Sequence, residues 1–354
     1  MAQTVGELDP PVRLMLTPGP SSMHPRVYRA MSTPLVGHVD PWFRGCIGWF
    51  SDRMAEIAGR TAAKVTRVEA AYGTTVDPDE VRKSGKGRKI KIIGLAQGET
   101  SSGVLTQLSA FRQVADELGA LLIVDTVASL AAVPLHVDNE RVDICFSGTQ
   151  KAISAPPGMS PITVSPTAEE VFRNRKTKVQ SWYFDLTTAM NYWGKDRLYH
   201  HTPPISLIFA LREAMRMTLE EGLENRWERH RQNQLALIAG LEAMGLELLV
   251  KNPAERLPTV TAVMIPNGID DAKVRNQLLD EFNIEIAGGL GPLRAKIWRI
   301  GLMGYCSQRA NVLLFLGAFE KVLLDQGYRL GSGAGVGAAV QNYTNVGAAA
   351  VAGR

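Results

Sequence analysis

The sequence predicts an α/β protein: a large domain with a mostly parallel sheet covered by helices on both faces, then a smaller C-terminal α+β domain. Three observations carry this. Short apolar runs such as ALLIV (120–124) alternate with segments of helical spacing. Those runs are apolar at every position, as strands buried on both faces are. A length of 354 residues with 45% hydrophobic content suffices for one large core and a second, smaller one.

Taken in order, residues 14–26 (LMLTPGPSSMHPR) hold three prolines and Gly19, so they are expected to lie irregularly over another surface rather than in a sheet. A helical pattern covers 49–59, and a strand-like run covers 63–68 before a polar loop with Gly73, Asp77 and Pro78. A β-rich run follows at 90–96. Leu108, Phe111, Ala115 and Leu118 recur at helical spacing, with Gly119 placed to end the helix. Strands are predicted at 120–124, closed by Asp125; at 142–146, closed by Ser147 and Gly148; and at 162–164. A long helical region at 206–245 leads to strands at 246–250, 260–265, 284–286 and 297–300 and helices at 271–282 and 309–326. The tail from Gly331 is rich in small residues and is expected to be disordered. The domain reading is an arm and entrance segment (1–44), a large domain (45–230), a small domain (231–328) and the tail (329–354).

The formal net charge of +4, from 39 basic and 35 acidic residues, suits acidic metabolites and is too weak for nucleic acid. The longest basic cluster, 82–91, is broken by Gly85 and Gly87 and reads as a solvated loop. Cys46, Cys145 and Cys306 are odd in number and far apart, which fits a reduced intracellular protein. Asp9, Pro10 and Pro11 interrupt any signal-peptide pattern, and no apolar run approaches a membrane span, so a soluble protein is expected.

In open α/β sheets ligands collect at the carboxyl ends of strands. Three polar groups fall there: QGETSSG (97–103), Asp125 and SGTQK (147–151). A carboxylate directly after a buried strand either caps the next turn, here through Thr126 and Ser129, or meets a cationic ligand group such as a protonated pyridine nitrogen. Lys151 poses a similar choice. After a glycine turn a lysine is ordinarily solvated. Set among Ser147, Thr149, Gln150 and the rigid run APPG (155–158), a desolvated amine of lowered pKa would suit Schiff-base chemistry. His200 and His201 are adjacent, so on an extended segment they would point opposite ways and make a poor metal pair; no metal site is expected.

The ordered series LTPGP (16–20), GH (37–38), GETSSGVL (98–105), VDTVASL (124–130), SGTQKAISAPPG (147–158), YHHTPPISL (199–207), GLEN (222–225), RLPTVT (256–261), IEIAGGLG (284–291) and WRIGLMG (298–304) resembles the alanine–glyoxylate and serine–pyruvate aminotransferases. These are class-V aminotransferases, within the fold-type-I pyridoxal-phosphate enzymes. The resemblance runs from Leu14 to about Gly327. It implies that Lys151 forms the Schiff base with pyridoxal 5'-phosphate and shuttles the α-proton, while Asp125 keeps the ring nitrogen protonated. It also implies that Thr100 contacts the ring, Phe50 stacks on it and Gln150 helps hold the phosphate. Tyr199 and Thr202 would reach the phosphate of a neighbouring subunit in a homodimer. Gly37 would line the entrance, with His38 given no catalytic proton. Arg299 would clamp the substrate carboxylate; the alternative is a strand arginine bonded to a nearby carboxylate. The implied reaction passes an amino group from a small amino acid, alanine or serine, to a 2-oxo acid such as glyoxylate or pyruvate.

The chain departs from that pattern in one place. In the family several dozen residues separate the GH segment from the stretch matching GWFSDR (48–53), and they include a glycine/serine loop opening a helix. Here DPWFRG (40–45) runs almost directly into CIG (46–48). A phosphate seat made of helix N-terminal N–H groups is therefore expected to be missing. The alternative reading is an inactive or unstable shortened member that pairs with a full-length subunit. A cysteine desulfurase of similar fold is disfavoured, because Gln150 stands where those enzymes carry histidine. A cytoplasmic location is expected; the family also implies a peroxisomal one, but the terminal AGR (352–354) is a poor match to an SKL-like address.

Overall fold

A computed structural model describes residues 14–31, 64–195 and 197–352. Gly37, Phe50, the helix expected at 49–59 and the shortened junction lie outside the described residues.

The described elements, in chain order, are β1 (Leu14–Met15), α1 (Pro25–Met31), α2 (Pro78–Gly85), β2 (Ile92–Ala96), β3 (Gly98–Glu99), β4 (Val104–Leu105), α3 (Ser109–Leu118), β5 (Leu121–Asp125), β6 (Ile144–Phe146), β7 (Ile162–Val164), α4 (Pro166–Arg173), α5 (Leu186–Trp193), α6 (Ile205–Glu221), α7 (Leu223–Ala243), β8 (Val260–Met264), α8 (Asp271–Phe282), β9 (Ile284–Glu285), β10 (Ala287–Gly288), β11 (Ile297–Gly301), α9 (Arg309–Asp325) and α10 (Ala334–Ala352).

Among the described residues the large sheet has the order β2-β5-β6-β7, with β2, β5 and β6 parallel and β7 antiparallel. This is the α/β architecture expected. The ladder sets Ala96 beside Asp125, and Asp125 beside Phe146, so three strands finish level. The loops leaving these strands therefore emerge at one rim. Phe111, Val114 and Ala115 of α3 pack with Leu122, Val124 and Cys145 of the strands, all buried. Gly119 ends α3 in the left-handed conformation, at φ 63°, as its position suggested. A second cluster joins Val27 of α1 to Ile208, Phe209, Leu211 and Ala214 of α6 and to Ile153 and Ala155 beside the lysine turn.

The C-terminal unit has a separate core. Trp298, Phe315 and Phe319 are fully buried within it, with α7, α8 and α9 covering the β10-β11-β8 sheet. Asp270 caps α8 by accepting the Lys273 N–H, and Asn283 closes it in the left-handed conformation.

Four expectations are corrected. The tail is not disordered: α10 packs along α7 and α9. The small residues make this possible, because a Cβ on Gly335 would lie 2.1 Å from Met244 Cε and one on Gly240 2.8 Å from the Gly335 oxygen. Buried Glu320 accepts the N–H groups of Gly333 and Gly335 at the helix start, and the Tyr343 hydroxyl donates to Asn233 Oδ1 at 2.7 Å. Carboxylate capping of this kind contributes about 1 kcal/mol. The arm does join a sheet, since Leu14 and Met15 pair in parallel with Ile284 and Glu285. Residues 64–68 and 246–250 form no strand, only a bridge from Leu248 to Val263. The helical region expected at 206–245 is present, as two helices parted at Gly222. The basic cluster begins within α2, where Arg82 pairs with Asp79 and Glu117, rather than as a loop.

Candidate active site

The rim where β2, β5 and β6 end holds the three motifs together. Asp125, 2% exposed, closes β5, and its Oδ1 accepts the Val127 N–H at 2.7 Å. That local bond orients the carboxylate while the strand register fixes its height. Beyond β6, Ser147 donates from its hydroxyl to the Thr126 oxygen, and Thr149 and Ala155 close the next loop backbone to backbone. Lys151 sits in that loop. Its amine donates to the Pro18 oxygen, so the arm lies directly over it.

The electrostatics at Lys151 are those of a partly buried cation with mixed neighbours. Burial is the main reason its pKa is pushed down to about 8, and the Arg299 charge adds to this; Asp125 and Glu99 oppose it. A lysine so placed supplies a neutral, nucleophilic amine near neutral pH, which an exposed lysine does not.

Arg299 comes from the other unit. It lies mid-strand in β11, 7% exposed, donating from Nε to the Gly288 oxygen at 2.8 Å and from Nη1 to the Thr100 oxygen at 3.0 Å. Burial lowers its pKa, with Glu99 opposing. The bond to Thr100 draws the β3–β4 hairpin, and with it the QGETSSG motif, against the strand that carries the guanidinium. Among the described residues neither of these two bonds is to a carboxylate, although the Glu99 charge acts on the guanidinium. A cation buried without a carboxylate partner among its hydrogen bonds is poised for an anionic ligand.

Gln150 adjoins Lys151 and is half-buried, with its backbone oxygen accepting the Ser21 N–H at 2.9 Å. Tyr199 and Thr202 are brought to each other, hydroxyl to hydroxyl at 3.0 Å, but on an exposed segment where Tyr199 is 63% exposed. His200 and His201 do not point opposite ways: their Nδ1 atoms are 2.8 Å apart. The segment forms no strand, and the His200 ring is stacked on Trp182 at 4.0 Å between centroids. No group of three or more metal-ligating side chains occurs among the described residues.

Sequence reasoning did not single out Pro18, Ser21 or Glu99 as members of the site. Pro18 and Ser21 act through contacts some 130 residues away in the chain, which only the fold reveals. Glu99 lay within the quoted QGETSSG motif, and its placement after a buried strand was the available signal.

This donor set brings a nucleophilic amine, an anion and a cation within electrostatic reach of one another. A partly buried amine of lowered pKa could bond a carbonyl carbon, a buried carboxylate on the next strand could meet a ring N–H, and a guanidinium could take a second anion.

The sequence model of the family described as Aminotransferase class-V matches residues 51–307. The (S)-ureidoglycine–glyoxylate transaminase of Bacillus subtilis is 37% identical over 407 aligned positions, covering 96% of this chain and 98% of that protein. That alignment is longer than the chain itself, so the relative carries residues with no counterpart here. The alanine–glyoxylate aminotransferase of Callithrix jacchus is 36% identical, with 88% of each protein covered. The crystal structure of the ureidoglycine–glyoxylate aminotransferase from Bacillus subtilis superposes with a TM-score of 0.90 at 38% identity, covering 96% of this chain and 100% of that one. The alanine–glyoxylate aminotransferase from Nostoc sp. superposes with a TM-score of 0.86 at 38% identity, covering 90% and 97%. A cysteine desulfurase from Thermococcus onnurineus superposes at 0.60 with 18% identity over 76% of this chain and 68% of that one, a likeness of fold alone.

Proposed function

This chain belongs to the class-V aminotransferases, and on that premise we propose that it transfers the amino group of a small amino acid to a 2-oxo acid such as glyoxylate, using pyridoxal 5'-phosphate bound through Lys151. The observation that carries the reading is that the charges of two buried groups, Asp125 at the rim of the large sheet and Arg299 on the neighbouring sheet, both act on the partly buried Lys151 amine.

Lys151, Asp125, Thr100 and Gln150 would hold the cofactor, with Tyr199 and Thr202 reaching the phosphate of a second copy in a homodimer. When bound, the cofactor supplies an electron sink for charge developing on the substrate α-carbon. The protein's residues do the rest. Arg299 binds the substrate carboxylate through charge-assisted bonds worth roughly 1.5–3 kcal/mol each and fixes which face of the α-carbon meets Lys151. The Lys151 amine, neutral above a pKa of about 8, accepts the α-proton and returns it to the product side. Asp125 holds a proton on the ring nitrogen by its negative charge. Pro18 and its neighbours cover the amine and limit water. The shortened phosphate seat is expected to weaken cofactor affinity by about tenfold for each 1.4 kcal/mol of phosphate-binding energy it no longer supplies.

A second donor, (S)-ureidoglycine, is favoured by the similarity to the Bacillus subtilis enzyme, which spans nearly all of both chains. Alanine, serine and (S)-ureidoglycine should therefore be compared as donors with glyoxylate and pyruvate as acceptors, following the product amino acid by chromatography. The reading predicts ping-pong kinetics with at least one pair. No transfer with any pair, at saturating cofactor, would refute it. A cytoplasmic location is proposed, which localisation of the tagged full chain would test.

A further inference from the structure

Lys151 does not stand on its loop alone. Ser154 N donates to the Lys151 oxygen at 2.9 Å, closing a tight turn, and Ser154 itself sits at φ 60°. That is the left-handed region, where glycine is at home and a serine is strained. A strained serine in a site that glycine would fill more easily points to its hydroxyl as the reason for its presence.

That hydroxyl joins three segments. Its oxygen accepts the Tyr305 N–H at 2.9 Å and lies 3.2 Å from Ser21 Oγ. Ser21 has one hydroxyl proton and places it toward the Lys151 oxygen, 2.7 Å from Oγ. The proton between the two serines must then come from Ser154. The order is fixed: Tyr305 N–H to Ser154, Ser154 to Ser21, Ser21 to the Lys151 carbonyl, a directional chain whose members strengthen one another in a buried setting. Ser21 and Ser154 are each 5% exposed.

Tyr305 lies just beyond β11, the strand that carries Arg299. The contact leaves no slack: a Cβ on Gly304 would lie 2.0 Å from Ser154 Oγ and 2.4 Å from the Ala152 oxygen. Side chains of α7 hold both sides of it. Arg226 donates to the Ala152 oxygen at 2.5 Å, Arg229 to the Gly304 oxygen at 3.0 Å, and His230 Nε2 accepts the Gly304 N–H at 2.9 Å.

We propose that Ser154 is a positioning residue for Lys151, its hydroxyl coupling the lysine turn to the strand that bears the Arg299 carboxylate clamp, so that the two groups keep one geometry through the reaction. The proposal rests on the transaminase reading. It assigns Ser154 no contact with substrate or cofactor; the residue acts through the Lys151 carbonyl.

The test is Ser154→Gly, with Ser154→Ala beside it. Glycine relieves the backbone strain while both variants lose the hydroxyl's hydrogen bonds, so Ser154→Gly should fold with a Tm above that of Ser154→Ala and within a few degrees of the parent. It should nonetheless lose about tenfold to a hundredfold in kcat, as misplacement of a reacting group by about an ångström does, with KM within about twofold. In the cofactor-free full chain, reductive ¹³C-methylation allows Lys151 to be titrated by NMR. The Lys151 signal, identified by its loss in Lys151→Ala, should titrate well below the other lysines in the parent and move toward them in Ser154→Gly. Parental kcat and titration in Ser154→Gly would overturn the proposal. So would a fall in Tm that tracks the fall in kcat in both variants, which would make the serine merely structural. Should the parent transfer no amino group at all, the transaminase reading fails, while the NMR titration still decides whether Ser154 positions Lys151.

Discussion

The lysine turn and the aromatic segment at 182–202 are built in opposite ways. Around Lys151 the chain closes on itself: the arm, the end of β11 and the start of α7 all bond to the turn, and Thr149, Ser154 and Ala155 are buried. In the other region Trp182, Phe184, Leu198 and Tyr199 are 60–72% exposed, and the Trp182 ring stacks on His200. A rigid setting suits groups that must act on a carbon atom. A cluster of exposed large rings suits a surface that a second copy would cover. On the proposed reading the comparison divides the site: amine, ring carboxylate and substrate clamp would be complete within one chain, while phosphate contacts from Tyr199 and Thr202 would need a partner.

Lys151→Ala attacks the closed region directly and should have the largest effect. Turnover should fall by at least about four orders of magnitude, as loss of a covalent catalytic group does, and cofactor should no longer be retained through gel filtration. Retention and turnover near the parental level would break the comparison at its centre. Next comes Arg299→Ala, expected to lower kcat/KM for alanine by about tenfold to a hundredfold through loss of charge-assisted bonds. The loss should shrink for an amine lacking a carboxylate; an equal loss would mean that Arg299 supports the hairpin through Thr100 rather than the substrate.

The open region should respond more gently. Tyr199→Phe removes one phosphate contact and should weaken cofactor binding by about two- to tenfold, corresponding to a single hydrogen bond. Trp182→Ala should raise the dissociation constant of the dimer in sedimentation, and cofactor affinity should then depend on protein concentration. A monomeric parent with concentration-independent affinity would remove the partner from the account. Least in size is a pH effect. The Lys151 amine titrates at about 8 in the folded chain against an ordinary 10.5. Between those values the unfolded chain holds the extra proton, so stability rises with pH across that window and the cost of the buried charge is fully felt only below it. The stability gap between Lys151→Met and the parent should narrow from pH 8 to 10.5 in urea titrations; a gap that widens contradicts the burial of the amine.

Much of the closed region was legible because its logic is local. Four apolar residues and then Asp125, or CF and then SGTQK, mark strand ends whatever surrounds them, and the structure sets those ends level. The helices at 271–282 and 309–325 were legible as well; Asp270 and Asn283 cap the first, while the second has no side-chain cap. The features that could not be read depended on distant surfaces. The helix α10 owes its order to a backbone approach between Gly335 and Gly240, and side chains of one or two carbons give no periodic signal of that. Two-residue pairing of the arm with β9 is too short to leave a pattern. The two histidines were misplaced because alternation holds only on an extended strand, and their segment forms none.

Reductive trapping tests the central claim most directly. The full chain is mixed with pyridoxal 5'-phosphate at about pH 8, where the Lys151 amine is half neutral, then reduced with borohydride, digested and mapped by mass spectrometry. A stoichiometric phosphopyridoxyl group on the peptide containing Lys151, and absent from it when the same protein is first unfolded, is the predicted result. Label spread over surface lysines such as Lys83 and Lys321, or none on Lys151, would contradict it.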